Sequence, residues 1–317
     1  AEAAAMTIAQ LCYADLVTDV VKEFPELQGV MGGVYARRDG LDERAALGLE
    51  QFYLPVGPKS PVPTTIEGAL VSLAGKLDSL AGNFLIGQVP TGSADPFALR
   101  RQALGAIRIL LEHQLPIDLD QALSAAIAAQ PDGRSAEQRD IALADLRDFV
   151  WARAQFFFEE KGFRADEIRS VRQGGLINLK RTFLRLAAIH SVRQNHDFEP
   201  LAAAFKRAAN ILKQARFPIE EPFLPERGLL KEDAERALFD ALCALEGRVQ
   251  ERCVAESYEA GLRALVGVKP HLDFFFERVM VMAEEKELRR QRLGLLAKLV
   301  RLFNCVADLS EIQVAER

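Results

Sequence analysis

The strongest constraint on the fold of this chain is that its apolar residues recur every three or four positions almost from end to end. Leu201, Phe205, Ala208 and Leu212 form one such series, and residues 293–303 contain another. This spacing places apolar side chains on one face of an α-helix. Alternating patterns typical of strands are nearly absent. The sequence therefore predicts an all-α protein.

Breaks in this pattern predict the division into domains. The chain has 317 residues, of which 49% are hydrophobic, enough for two domains with a connecting subdomain. Pro and Gly cluster at 56–63 within the first part and at 131–134, and a third boundary is predicted at 196–200, which ends in Pro200. We predict domains at 1–125 and 198–317, joined by a helical connecting segment at 126–197. No apolar run is long enough for a membrane span, and no leader is recognised.

Charge and cysteine content exclude several classes of site. The formal net charge is -5, and residues 201–317 carry equal numbers of basic and acidic side chains. Any nucleic-acid binding must therefore come from local clusters, and we expect no DNA partner. The four cysteines show no C-x-x-C spacing, so they are interpreted as reduced core thiols and not as a zinc site.

A loop that leads into a helix presents the most informative cluster of cations. In residues 90–101, Asp95 is predicted to cap the helix and Pro96 to occupy its first position. Arg100, Arg101 and Arg108 follow on that helix and are suited to gripping phosphates. Pairing with Asp95, with a nearby glutamate or with a neighbouring domain is an equally weighted alternative.

Residues 90–110 closely resemble a stretch of the β subunit of bacterial-type glycyl-tRNA synthetase, the form built from separate α and β chains. The resemblance extends over nearly the whole chain. Because the chain starts without Met and enters a helical pattern at once, we expect a C-terminal portion of that subunit. The other segments that agree in order are 14–18, 23–32, 53–55, 76–78, 205–207, 210–212, 275–282, 292–296 and 307–310.

The resemblance implies both a fold and a function. It implies a degenerate HD-like helical domain at 1–125 and a helical-bundle anticodon-binding domain at 198–317, like that of class I arginyl-type synthetases. The implied role is recognition of glycine tRNA for ATP-dependent attachment of glycine, in the cytoplasm. Its implied partners are glycine tRNA and the α subunit, with no membrane. The chemistry, with its ATP and Mg, resides on the α subunit, so this portion is expected to have no cofactor and no catalytic residue.

Three departures from the family pattern argue against an HD-type metal centre. Phe52 stands where the family usually has His, Gly75 where it often has Asp, and Tyr13 where Lys is usual. No histidine occurs before position 113. A degenerate metal-dependent phosphohydrolase is therefore a disfavoured alternative, and no metal site is expected. A helical protein-interaction scaffold remains a further alternative, because the chain lacks bulk positive charge.

Two groups of residues are predicted to contact tRNA. Every glycine codon begins with two guanines, so the shared anticodon bases are cytosines, which call for an amide, carbonyl or carboxylate partner. The predicted anticodon-side residues are Lys206, Arg207, Asn210, Lys213, Arg290 and Lys298. The residues predicted to serve the acceptor arm or an interdomain contact are Lys76, Arg100, Arg101 and Arg108.

Overall fold

The computed structural model describes residues 2–92, 94–131, 133–172, 178–219 and 223–314. Within those ranges the chain forms α-helices and short 3-10 turns, with one isolated bridge between Thr91 and Ala94 and no strand. The all-α prediction is therefore confirmed. Ser93 and Asp132, which belong to loops predicted from the sequence, lie outside the described residues.

Contacts divide the chain into two compact units. Unit 1 comprises Ala1–Glu160 with Gly175–Lys180, and unit 2 comprises Lys161–Gly174 with Arg181–Arg317. The helices of unit 1 are α1 (Glu2–Leu11), α2 (Asp19–Glu23), α3 (Val30–Arg38), α4 (Glu43–Glu50), α5 (Ile66–Leu85), α6 (Leu99–Glu112), α7 (Leu119–Ala129) and α8 (Ala136–Glu160).

Helix α5 is the centre of unit 1, where it packs against α1, α4, α6, α7 and α8. Leu80 on α5, Ile8 on α1 and Ile107 on α6 are fully buried. Each such side chain contributes about 1.5–3 kcal/mol of hydrophobic stabilisation. A Cβ at Gly48 of α4 would lie 2.2 Å from Cδ1 of Ile8, so the missing side chain permits the close approach of α1 and α4.

The start of α6 differs from the sequence prediction. The helix begins at Leu99, after Ala98 in the left-handed conformation, and not at Pro96. Asp95 still binds the first free amides, because its carboxylate accepts hydrogen bonds from the backbone N–H groups of Leu99 at 2.8 Å and Arg100 at 3.0 Å. The predicted cap is thus present, but a left-handed residue delays the helix by one turn.

Unit 2 is built around a long, largely buried helix, α15. The helices are α9 (Ala165–Ser170), α10 (Leu179–Val192, in unit 2 from residue 181), α11 (Phe198–Ala215), α12 (Asp233–Val254), α13 (Tyr258–Val266), α14 (Lys269–Arg278) and α15 (Lys286–Asn304). Helices α11 and α12 both pack against α15. The Phe205 ring of α11 lies 5.3 Å from the Phe303 ring of α15, measured between centroids.

Part of the predicted connecting segment packs within unit 1. Helix α8 lies against α5, α6 and α7 of that unit, so residues 136–160 share its core. Helix α11 begins at Phe198, the residue at which the anticodon-binding domain was predicted to start. The three-part division at 1–125, 126–197 and 198–317 stays a prediction.

Two further features of the sequence have structural counterparts. In the described part of the chain, no helix combines the length and the apolar character that crossing a bilayer requires. The four cysteines are free, but Cys243 is exposed and the other three are half-buried. Their predicted location in the core is therefore wrong.

Candidate nucleic-acid interface

Helix α11 separates an apolar inner face from a polar outer face. Phe198, Leu201, Phe205 and Leu212 are fully buried on the inner face. The helix ends at Ala215, and the left-handed conformation of the next residue, Arg216, turns the chain away. Because positions 206, 210 and 213 lie between the buried ones, their side chains are on the outer face. Lys206, Arg207, Asn210 and Lys213 are all exposed.

An open groove runs along this outer face. Its volume is about 650 Å³, and Lys206, Arg207 and Asn210 line it together with Gln214 and Val314. Lys213 lies one turn further along the helix, outside the groove. The structure therefore brings three of the six predicted anticodon-side residues to one surface and leaves a fourth beside it.

Arg207 adds a feature that the sequence did not reveal. Its guanidinium lies over the Phe276 ring of α14, 4.3 Å from the ring centroid. This cation–π contact fixes a planar cationic group at the edge of the groove. Lys206, Asn210 and Lys213 have no side-chain hydrogen bond or ion pair within the described residues. Their donors, and the amide oxygen of Asn210, are available to a ligand.

The two predicted residues of α15 lie in different environments. Arg290 is exposed, and its guanidinium lies 4.6 Å from the centroid of the Phe223 ring. Lys298 is only 4% exposed, and its Nζ donates to Oε2 of Glu246 on α12 at 2.7 Å. This burial and this ion pair favour a structural role for Lys298, and its contact with RNA stays a prediction that the geometry does not support. The lysine lies on a helix buried on several sides, where its charge is paired with a carboxylate.

In unit 1, two of the four predicted cations bind loops: Arg100 binds the loop before its own helix, and Arg108 binds the loop between α4 and α5. Arg100 donates to the carbonyl oxygen of Gly92 at 2.8 Å. Arg108 donates to the carbonyl oxygens of residues 57, 58 and 60 at 2.6–3.2 Å, and it pairs with Glu112 at 2.8 Å. These geometries favour the structural alternative for both arginines, namely that they fix loops.

Lys76 and Arg101 instead meet at a cavity of about 370 Å³. Tyr13, Phe52 and Gly75 line the same cavity, so the three departures from the family pattern converge on one place. A Cβ at position 75 would lie 2.7 Å from Cζ of Phe52. The phenyl ring at 52 therefore requires a residue without a side chain at 75. The three departures are visible in the sequence, but their common position, with the Tyr13 and Phe52 rings in contact beside Gly75, is visible only in the structure.

Polar contacts fix the walls of this cavity. The Tyr53 hydroxyl donates to Oδ1 of Asp15 at 3.0 Å, and Asp15 Oδ2 accepts from the Gly29 N–H at 2.5 Å. Burial, followed by the nearby Asp15 carboxylate, raises the pKa of Tyr53. Lys76 Nζ donates to the Tyr53 carbonyl oxygen at 3.2 Å and to Ser72 Oγ at 3.1 Å. Burial lowers the pKa of Lys76 to about 8.

Comparisons with known proteins identify two family matches along the chain. Residues 1–173 match the model of the glycyl-tRNA synthetase beta subunit family, and residues 201–317 match that of the DALR anticodon binding domain. The glycine–tRNA ligase beta subunit of Acidobacterium capsulatum is 39% identical over 98% of this chain and 44% of its own length. That of Dechloromonas aromatica is 43% identical over 96% of this chain and 42% of its own length. The chain thus spans less than half the length of these curated relatives.

Proposed function

Because the chain belongs to the glycyl-tRNA synthetase beta subunit family, we propose that it is the C-terminal, tRNA-binding portion of a glycine–tRNA ligase β subunit. It binds glycine tRNA and supports ATP-dependent attachment of glycine to that RNA in the cytoplasm. Its protein partner is the α subunit, which provides the active site and uses ATP and Mg. No catalytic step is assigned to the residues of this chain.

The observation that supports tRNA recognition best is the groove on α11, within the segment that matches an anticodon binding domain. Lys206 in the groove and Lys213 one turn beyond it supply exposed positive charges for phosphates on either side of Asn210. The Asn210 amide offers a donor and an acceptor, which match the exposed edge of an unpaired cytosine. This face of α11 therefore combines cations for the phosphate backbone of the RNA with one side chain that can read a base.

Arg207 contributes differently from the two lysines. Its guanidinium is held flat on Phe276, so less side-chain freedom is lost when a ligand binds. A flat guanidinium can stack on an unpaired base as well as contact a phosphate. Arg290, on its own aromatic ring, is assigned a supporting contact with the same loop of the tRNA.

Substitution of Asn210 separates base reading from general attraction to RNA. We expect Asn210→Ala to weaken binding of glycine tRNA by about 1–3 kcal/mol, with little effect on a variant tRNA whose two shared anticodon cytosines are replaced. Lys206→Ala is expected to weaken binding of both RNAs alike. The matched control is Arg248→Ala, which removes one exposed charge from α12 of the same unit. Equal affinity of the native protein for both RNAs would refute anticodon reading.

The scaffold alternative predicts a different result from the same titration. A protein-interaction module would bind the α subunit but neither tRNA, and substitutions in the groove would leave that association unchanged. The phosphohydrolase alternative is not favoured, because Phe52 and Gly75, which cannot ligate a metal, form the cavity wall of unit 1.

A further inference from the structure

The cavity of unit 1 has an aromatic wall with an accessible ring. The Tyr13 ring meets the Phe52 ring nearly at right angles, with an interplanar angle of 87° and centroids 5.0 Å apart. Phe52 is 4% exposed, whereas Tyr13 is 49% exposed. Phe52 therefore supports Tyr13 edge-on from inside the protein and leaves part of the tyrosine ring free. A planar ligand can stack on such a ring.

Two cationic groups of the same cavity have no acidic partner in the described part of the chain. Lys76 is 7% exposed, and its two hydrogen-bond acceptors, the Tyr53 carbonyl and the Ser72 hydroxyl, are uncharged. Arg101 is exposed at the cavity and has no hydrogen bond or ion pair within the described residues. A buried charge without a counter-charge is unfavourable, so an anion near Lys76 would relieve that cost.

The size and the polar groups of the cavity limit which kind of ligand can carry this anionic group. A volume of about 370 Å³ is near the small end of ligand pockets, which span about 300–1,000 Å³. Gln28 and Gln102 both line it, but the Gln28 side chain is hydrogen-bonded to Tyr53. The Gln102 amide nitrogen donates to the Phe97 carbonyl oxygen at 3.2 Å, so its amide oxygen is the group that can pair with a heterocycle. The dimensions suit one nucleotide unit, and they exclude a duplex.

We propose that this cavity binds a single unstacked nucleotide, with its base on the Tyr13 ring and its phosphate between Lys76 and Arg101. Aromatic stacking combined with a cationic group is the chemistry by which proteins bind unpaired bases. A free mononucleotide and a nucleotide in single-stranded RNA share this chemistry. The inference rests on the proposed function only for identifying tRNA as a source of that RNA.

Titration with AMP, adenosine, inorganic phosphate and the trinucleotide AAA tests the site. We expect AMP to bind the whole chain at least 10-fold more tightly than either adenosine or phosphate. Tyr13→Ala should weaken AMP binding about 5- to 100-fold, whereas Tyr13→Phe should retain it within about 2-fold. Tighter binding of AAA than of AMP would assign the site to RNA, and the reverse would assign it to a free nucleotide.

Matched variants separate the site from general charge effects and from the α11 groove. Arg101→Ala should weaken AMP binding, whereas Arg38→Ala, an equal loss of exposed charge on α3, should not. Asn210→Ala should leave AMP binding unchanged, so failure of the anticodon proposal does not imply failure here. The proposal is overturned if AMP does not bind, if phosphate competes as well as AMP, or if Tyr13→Ala binds AMP normally while its thermal unfolding is native.

Discussion

The α11 groove and the cavity of unit 1 hold their cations in opposite ways. Lys206 in the groove and Lys213 one turn beyond it are exposed and have no partner among the described residues. In the cavity, Lys76 is buried against two uncharged oxygen atoms. The groove is open along a helix, whereas the cavity is bounded by aromatic rings. Burial therefore distinguishes Lys76 from the lysines of α11, a difference that the sequence alone did not reveal.

This difference has consequences for both stability and binding. An exposed lysine retains its hydration in the free protein. Its substitution therefore changes the affinity for RNA but hardly changes the free energy of unfolding. A buried lysine reduces the stability of the free protein, because its charge has been removed from water. The groove is suited to attraction of an extended backbone, and the cavity is suited to capture of one small anion.

The largest expected effect is on the pH dependence of stability in Lys76→Met. Burial lowers the pKa of Lys76 from 10.5 to about 8. Between these values the unfolded chain binds a proton that the native protein does not, so native stability increases with pH. At pH 7 the Met variant should have the larger free energy of unfolding, and its excess over the native protein should decrease by about 3 kcal/mol between pH 7 and pH 10.5. Denaturant unfolding of both proteins at several pH values measures the difference in unfolding free energy. A difference that does not change with pH would contradict burial of a charged Lys76.

A smaller effect on stability is expected for Arg108, which binds a loop, and hardly any effect is expected for Arg101, which does not. Arg108→Ala removes the donor shared by three carbonyl groups of residues 57–60, and we expect a loss of about 2 kcal/mol in unfolding free energy. Arg101→Ala, on the same helix face, should change it by less than about 0.5 kcal/mol. Equal losses in urea melts would remove the distinction between the two side chains.

The smallest expected effect concerns the salt dependence of tRNA binding. Loss of one phosphate contact reduces the slope of log affinity against log salt by about 0.7–1. We expect this reduction for Lys213→Ala. Lys298→Met removes a lysine that is buried beside Glu246, so its slope should match that of the native protein. Titrations between low and moderate salt compare the two, and a reduced slope for Lys298→Met would show that the buried pair opens to RNA.

Sequence periodicity was sufficient to predict the helices but not which cationic side chains are buried. Both α11 and α15 have apolar stripes, yet α15 is packed by neighbours on several sides, which buries Lys298. The number of faces that a helix buries depends on the tertiary arrangement, which local spacing does not encode. Likewise, Phe52 and Gly75 are 23 residues apart in the sequence, and their steric relation becomes visible only in three dimensions.

The start of α6 illustrates a second limit. Asp95 and Pro96 are typical of a helix start, and Asp95 does accept from the first amides of α6. The left-handed Ala98 intervenes between cap and helix, although alanine shows no preference for that conformation. A rule based on residue type therefore identified the cap but placed the first helical residue too early.

Site-specific photocrosslinking shows whether the outer face of α11 contacts the anticodon of glycine tRNA. A photoreactive amino acid at position 210 is compared with one at Val254, which is 81% exposed on α12. The account predicts crosslinks from position 210 to the anticodon loop, at the two shared cytosines or their neighbours, and a far lower yield from position 254. Crosslinks from position 210 that map mainly to another part of the tRNA would contradict it.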